Sequence, residues 1–163
     1  MRRHVVAICL TMLFGVAAAA PAVAQENAAD TLAVRNVEIQ FHQAGSVLPQ
    51  KNIDLMMSLF ADDAVLTDTA HDNAQYKGKA EVRRYFETVA APFRPANHWI
   101  GYTPAMRIRS EVSGNHATLY FECLWMDVDK NAVGSHSFSD MTLAKVNGKW
   151  LVSAIKVGKV AQL

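Results

Sequence analysis

The chain has 163 residues, with 16 Lys and Arg against 15 Asp and Glu, and 51% of its residues are hydrophobic. This length fits one domain with a core of its own. A net charge of +1 provides no strongly basic surface, so we expect neither nucleic acid nor an anionic membrane as a partner.

Residues 1–24 are predicted to be a cleaved secretory signal peptide. Two arginines precede an apolar run over residues 5–20, and Ala22 and Ala24 satisfy the small-x-small pattern for cleavage after Ala24. A membrane anchor is the alternative, but the run is short for a span of about 20 residues. We therefore expect a periplasmic or secreted protein, with no stable membrane insertion after cleavage and a net charge near −1.

The rest of the chain is predicted to be a flexible leader, 25–30, followed by one domain, 31–160. Its first half has the apolar spacing of helices. One helix is predicted from Thr31 to Ala44, a second after the N-cap residue Asn52, and a third over Lys79–Ala90. Three helices therefore precede most of the strands.

Alternating and apolar stretches predict strands in the second half. A short strand, "AVLTD", and a polar loop, "HDNAQYKG", separate the second and third helices. Four longer strands follow, joined by hairpins that include a tight turn at "NGK": 105–112, 116–129, 135–146 and 150–157. This order predicts an α+β fold, with the helices packed on one face of a curved antiparallel sheet. The strand "HATLYFECLWMDVD" is apolar on both faces, which indicates a ligand cavity or a second subunit on one side.

Two features of the residues themselves bear on chemistry. In "LFADDAVLTD", Asp62 and Asp63 have the position of turn residues, whereas Asp68 is in phase with Leu66 on a strand. Cys123 is the only cysteine left after cleavage, so no disulfide can form within the domain. A buried, inert thiol is favoured, and an intermolecular bridge or a nucleophile is the alternative.

Three stretches carry a resemblance to a known family: "KNIDLMMSLFADDAVLTD", "YKGKAEVRRYF" and "VNGKWLVSAIKV". They resemble the SnoaL-like branch of the nuclear transport factor 2-like (NTF2-like) superfamily, distantly similar to ketosteroid isomerases. The resemblance implies a cone, in which a curved sheet wraps around the helices and encloses an apolar pocket open at one end. It also implies a homodimer through the outer face of the sheet.

The resemblance suggests Asp68 as a catalytic base, because "LFADDAVLTD" is similar to "FADDATVED" in ketosteroid isomerases. The alternative is an exposed aspartate that opens the following loop. The first helix offers Phe41 and His42 where those isomerases have a tyrosine donor, and Asp140 is only an approximate counterpart of their second donor. A true steroid isomerase is therefore not expected, and Asp140 is kept as a third catalytic candidate.

His98 is the second catalytic candidate, because dehydratases of the superfamily place a histidine in this region; a surface-loop histidine is the alternative. His136 is in phase with Phe138 and Asp140, so these three side chains face either the pocket or the outer surface. The residues predicted to line the pocket, with plain core packing as the alternative, are Tyr76, Phe86, Trp99, Tyr102, Trp125, His136 and Phe138.

No metal or cofactor is expected. The sequence has no H-x-H, H-E-x-x-H or C-x-x-C pattern and no phosphate-binding glycine loop. Two functions stay open: a cofactor-independent acid/base enzyme of the isomerase, dehydratase or hydratase type, acting on a small apolar organic molecule, or a non-catalytic ligand-binding or dimeric assembly domain.

Overall fold

A computed structural model of the chain describes residues 20–46, 51–90, 99–100, 105–127 and 131–160. Within these residues, three helices and seven strands follow in this order: α1 (Ala20–Ser46), α2 (Lys51–Ser58), β1 (Phe60–Asp68), β2 (Ala74–Lys77), α3 (Lys79–Thr88), β3 (Trp99–Ile100), β4 (Met106–Ser113), β5 (His116–Asp127), β6 (Ala132–Val146) and β7 (Lys149–Lys159).

The described strands form one sheet in the order β2-β1-β7-β6-β5-β3, and β4 also pairs with β5. Neighbouring strands are antiparallel except for β1 and β7, which are parallel, so the sheet is mixed. The predicted α+β class, with helices packed on the sheet, is confirmed. The parallel pair is formed by β1 and the last strand of the chain, β7, which run in the same direction.

The core lies between the helices and one face of the sheet, which we call the inner face. Apolar side chains from both sides are removed from water there, and burying each contributes about 1.5–3 kcal/mol. Its members include Val34, Val37, Ile53, Met56, Val82 and Phe86 from the helices, and Leu66, Leu119, Phe121, Met141, Leu143 and Ile155 from the strands.

Helix α1 begins earlier than the sequence predicts. Residues 25–30, predicted to be a flexible leader, are helical. At this point Asp30 accepts hydrogen bonds from Lys145 Nζ at 2.7 Å and from Trp150 Nε1 at 3.0 Å. Lys145 and Trp150 face each other across β6 and β7, so one carboxylate ties the helix to the sheet, and its two donors lower the pKa of Asp30.

The turn predicted at "NGK" is confirmed. Asn147 and Gly148 have φ angles of 50° and 79°, as a two-residue hairpin turn requires. Strand β2 was not predicted, since Ala74–Lys77 falls within the predicted polar loop; it pairs with β1 at the edge of the sheet, where polar residues are tolerated.

Candidate functional site

The inner face of the sheet changes from apolar to polar along the strands. Residues paired across adjacent strands project to the same face, so each set of paired residues forms a row. One row is fully apolar: Leu66, Ile155, Met141 and Leu119. The next row towards the carboxyl end of β1 holds Asp68, Val157, Ser139 and Phe121, and the row after that holds Lys159, Ser137 and Cys123.

Asp68 is buried, with 2% of its surface exposed, although it ends a strand. Its Oδ1 accepts the Ala70 N–H at 2.9 Å, and its Oδ2 lies 2.7 Å from Nδ1 of His71. Both carboxylate oxygens are therefore engaged with the loop that follows β1. Asp68 is thus an inner-face carboxylate that also shapes this loop.

Three polar side chains, Glu38, His42 and Cys123, contact one another in sequence where α1 packs on β5, and we call them the Glu38–His42–Cys123 line. The ring of His42 places Nδ1 2.7 Å from Oε1 of Glu38 and Nε2 2.9 Å from Sγ of Cys123. Nδ1 also lies 3.0 Å from the Glu38 carbonyl oxygen. Glu38 and Cys123 are each 7% exposed, so this carboxylate–imidazole–thiol line is largely removed from water.

The line determines the charge of His42. Burial disfavours the charged ring, but the hydrogen bonds to the Cys123 sulfur and the Glu38 carboxylate outweigh it and raise the pKa of His42 to about 10. At neutral pH the ring is therefore an imidazolium. It can therefore donate Nε2–H to the Cys123 sulfur.

We call Glu38, His42, Asp68, Cys123 and Ser139 the polar end of the interior. The Glu38 carboxylate, the His42 imidazolium and the Cys123 thiol lie beside Phe121, whose ring is 5.0 Å from that of His42. Ser139 and Asp68 continue the polar end along the row of Phe121. Sequence reasoning did not identify the Glu38–His42–Cys123 line, although Glu38 and His42 are one helical turn apart on the stripe that also carries Val34 and Phe41. That spacing was the available signal; the partner on β5 depends on the fold.

The sequence profile of the SnoaL-like domain family matches residues 40–139. The chain belongs to this family. The resemblance inferred from the sequence is confirmed. No match was found among curated proteins.

Solved structures share the fold of this SnoaL-like domain. An NTF2-like protein with a cystatin-like fold from Novosphingobium aromaticivorans has a TM-score of 0.71 and 12% identity, over 91% of this chain and 94% of that one. A protein proposed to be an NTF2-like dehydratase from Streptomyces avermitilis has a TM-score of 0.62 and 14% identity, over 83% and 99%. One proposed to be a ketosteroid isomerase from Parabacteroides distasonis has a TM-score of 0.58 and 16% identity, over 78% and 86%.

The SnoaL-like domain presents His136, Phe138 and Asp140 on its outer face. They pair with Leu124, Glu122 and Tyr120, which alternate with the inner-face residues of β5. The sequence left this orientation open, and Asp140 is exposed on the face opposite Asp68. These three residues therefore do not share a site with Asp68, because the sheet separates them.

The outer face contains a polar cluster of its own around Glu122, which is 3% exposed. Tyr120 donates its hydroxyl to Oε1 at 2.7 Å, Arg107 lies 3.4 Å from the same oxygen, and His136 Nε2 lies 2.8 Å from Oε2 in an ion-pair contact. Burial raises the pKa of Glu122, but these three groups outweigh it and hold the pKa below its usual range. The carboxylate is thus stabilised within the chain.

The other predicted pocket residues have different surroundings. Phe86 is buried in the core against Phe41, Phe60 and Tyr85, whereas Tyr76 is half-buried and packs against Tyr85 at 5.0 Å. Two of the predicted residues, His98 and Tyr102, lie outside the described residues, and so do the side chains of Trp99 and Trp125. Their roles stay predictions.

In the described part of the chain, no group of three or more His, Cys, Asp or Glu residues is arranged to hold a metal ion. Among the helices described, none is both long enough and apolar enough to cross a membrane.

Proposed function

We propose that this SnoaL-like domain binds a small, largely apolar organic molecule against the polar end of its interior. One observation carries the proposal: the buried polar residues Asp68 and Ser139 share one row of the inner face, with the buried Glu38 and Cys123 beside its Phe121 end, while the adjoining row is apolar. Burying polar groups is costly unless they are paired or used. An apolar body would rest on the aromatic and aliphatic side chains, and its carbonyl or hydroxyl group would meet the polar ones.

The size of the site suits a molecule of one to a few rings. Asp68 and Phe121 are the ends of a row that spans four strands, which is roughly 14 Å at about 4.8 Å per strand spacing. The hydroxyl of Ser139 lies within that row. A ligand placed along the row would reach a carboxylate at one end and the aromatic rings beside His42 at the other.

The chemistry that suits these groups is proton transfer without a cofactor. Asp68 is the candidate base, and Ser139 in the same row is the candidate hydrogen-bond donor to a developing oxyanion, with the His42 imidazolium beyond it at the Phe121 end. Isomerisation, dehydration and hydration all use such a pair. The names proposed for two of the similar structures, a dehydratase and a ketosteroid isomerase, belong to this chemistry.

A second function, binding without catalysis, is favoured by the contacts of Asp68. Its two oxygens already accept hydrogen bonds from the loop at Ala70 and His71. A carboxylate held in this way is restrained for ligand orientation and less available as a base.

One NMR experiment separates these functions. With 2-tetralone as the probe, we expect backbone amide shifts around Asp68, Phe121 and Ser139, weakened by Ser139→Ala and unchanged by Thr142→Ala on the outer face. In D2O, an enzyme would exchange the hydrogens beside the ketone, and Asp68→Asn would abolish this exchange while the exposed control Asp62→Asn would not. Binding without exchange would establish the second function, and shifts confined to the outer face would refute both.

We also propose that the protein is exported and that residues 1–24 are removed. The support is the basic, apolar and small-residue pattern of this segment. Expression of the full chain should yield a periplasmic or secreted product whose intact mass corresponds to residues 25–163. A cytoplasmic product of full mass would refute export. The variant Ala24→Arg should block processing without changing the domain.

A further inference from the structure

The Glu38–His42–Cys123 line has the arrangement of an activated nucleophile. A carboxylate orients an imidazole through Nδ1, and the imidazole contacts a thiol through Nε2, at 2.7 Å and 2.9 Å. Nucleophilic cysteines are activated in this way, by a neighbouring ring that a third group holds in place. The line is built from two different elements, α1 and β5, so the fold rather than local sequence brings it together.

Packing alone does not account for this line. The His42 ring packs against Phe41 and Phe121, and an aliphatic side chain at residue 42 would fill this space without a charge to compensate. Removing a carboxylate and an imidazolium from water is costly even when they are paired. Placing both beside the single buried thiol of the domain suits a chemical role for the sulfur.

Ser139 provides an independent observation. It is 7% exposed, and none of the hydrogen bonds found among the described residues involves its hydroxyl. Ser139 projects from the inner face of β6, one diagonal step from Cys123, because Cys123 pairs with Ser137. Diagonal neighbours of this kind have side chains within about 7 Å. A hydroxyl on a largely buried side chain at this distance can bind an oxygen of a molecule that contacts the sulfur.

We infer that Cys123 is a nucleophile that adds reversibly to small α,β-unsaturated carbonyl compounds, with His42 as the proton donor and Ser139 holding the carbonyl oxygen. The inference rests on the proposed small-molecule site, because the compound has to enter it. An enone suits the spacing: its β-carbon contacts the sulfur while its oxygen, about three bonds away, reaches the Ser139 hydroxyl.

The step is a conjugate addition that needs no oxidant or reductant. The Cys123 thiolate forms a carbon–sulfur bond to the β-carbon, and the electrons of the carbon–carbon double bond move towards the carbonyl as an enolate. The His42 imidazolium gives its Nε2 proton to the α-carbon and becomes neutral, while its Nδ1–H stays hydrogen-bonded to the Glu38 carboxylate. The product is a thioether, and reversal restores the ion pair. Glu38 acts as a positioning residue.

The rate of alkylation tests this directly. The chain with Cys9→Ser carries Cys123 as its only thiol, and adduct formation with 2-cyclohexen-1-one is followed by intact mass. We expect the native protein at pH 6 to react at least about tenfold faster than the same chain in guanidinium, because an ordinary thiol is largely protonated there. We also expect this advantage over the unfolded chain to shrink as the pH rises towards 9, because the unfolded thiol ionises there.

Three variants distinguish activation from simple exposure. His42→Gln should remove most of the native chain's rate advantage at pH 6 and its dependence on pH, and Glu38→Gln should remove part of it. Ser139→Ala should slow the enone several-fold but leave methyl methanethiosulfonate, which has no carbonyl group, unchanged; Thr142→Ala should affect neither reagent. If the native thiol reacts no faster at pH 6 than the unfolded one, Cys123 is an inert buried thiol and the inference is refuted, whatever the variants do.

A saturated probe separates this inference from the proposed function. Cyclohexanone can occupy the site but cannot add to sulfur. If cyclohexanone shifts the amides around Ser139 and the enone forms no adduct, the binding site stands and the nucleophile is refuted. If neither compound binds or reacts, both proposals are refuted.

Discussion

Among the described ionisable side chains, His42 has a strongly raised pKa. Its pKa of about 10 lies above the ordinary value of 6.5, so protonation of the ring stabilises the folded state. This contribution is complete below pH 6.5, shrinks as the pH rises and is lost through pH 10. This difference between the folded and ordinary pKa of His42 corresponds to at most about 5 kcal/mol of folding free energy.

The first prediction follows from this loss of stability with rising pH. The melting temperature of the wild-type protein should fall between pH 6.5 and pH 10, and the fall should be much smaller in His42→Gln. His42→Gln should therefore cost most stability near pH 6 and least near pH 10. Thermal unfolding followed by circular dichroism measures both curves. His116→Gln, which changes an exposed histidine, should run parallel to the wild type; a parallel His42→Gln curve would show that the ring is not charged in the fold.

For single residues, the sequence identified Asp68 but not the other members of the polar end. The alternation of β1 puts Asp68 in phase with Leu66, and this local period placed it correctly on the inner face. Cys123 was found but expected to be inert, because its neighbours in "YFECLW" are apolar. Its contact with His42 joins residues 81 positions apart, and only the packing of α1 on β5 determines it.

At the scale of one strand, Gly158 marks a close approach between elements. A Cβ at this position would lie 2.0 Å from Oγ1 of Thr69 and 2.8 Å from Cε1 of Phe138. The loop after β1 and the Phe138 ring from β6 therefore both lie close to the β7 backbone at Gly158, which has no side chain. A glycine inside a strand commonly marks such a site.

The second prediction is that Gly158→Ala destabilises the fold by about 1–3 kcal/mol, the usual cost of overpacking. Thr69→Ala removes Oγ1, so the double variant should lose less stability than the two single variants added together, by about 0.5 kcal/mol or more. Urea unfolding of the four proteins gives this coupling. Gly114→Ala is the control, since it has a φ of 56° but nothing within 4 Å and should not couple to Thr69. Strict additivity would mean that Thr69 moves away freely.

Elements with a strong local signal were predicted well, and those set by distant partners were not. Helix α3 and the hairpin between β6 and β7 follow from apolar spacing and from Asn147-Gly148. The parallel pairing of β1 with β7 joins segments about 90 residues apart and has no local signature. The early start of α1 likewise depends on Asp30 meeting Lys145 and Trp150 across the fold.

For the molecule as a whole, the sheet divides two surfaces of different composition. The inner face carries the polar end, and the outer face carries the Glu122 cluster together with a stacked pair, Tyr120 and Phe138, whose rings are 6.2 Å apart. Arg109 lies over Tyr120 at 4.6 Å. This partly apolar, aromatic surface with arginine beside it has the composition of a protein interface. It supports the homodimer through the outer face that the family resemblance implies, and such a dimer would leave the inner site free.

The last prediction tests that dimer. Thr118 and Thr142 are exposed cross-strand neighbours on the outer face of β5 and β6. A glutamate at Thr142 would place like charges near each other across a two-fold axis, which costs several kcal/mol at an interface. We expect light scattering after size exclusion to give a dimer for the wild type and a monomer for Thr142→Glu at the same micromolar concentration. Thr88→Glu, on an exposed turn of α3, should stay dimeric. A wild-type monomer, or a dimer that Thr142→Glu leaves intact, would show that the outer face is not the interface. The aromatic pair would then be a surface feature stabilised by Arg109 within one chain.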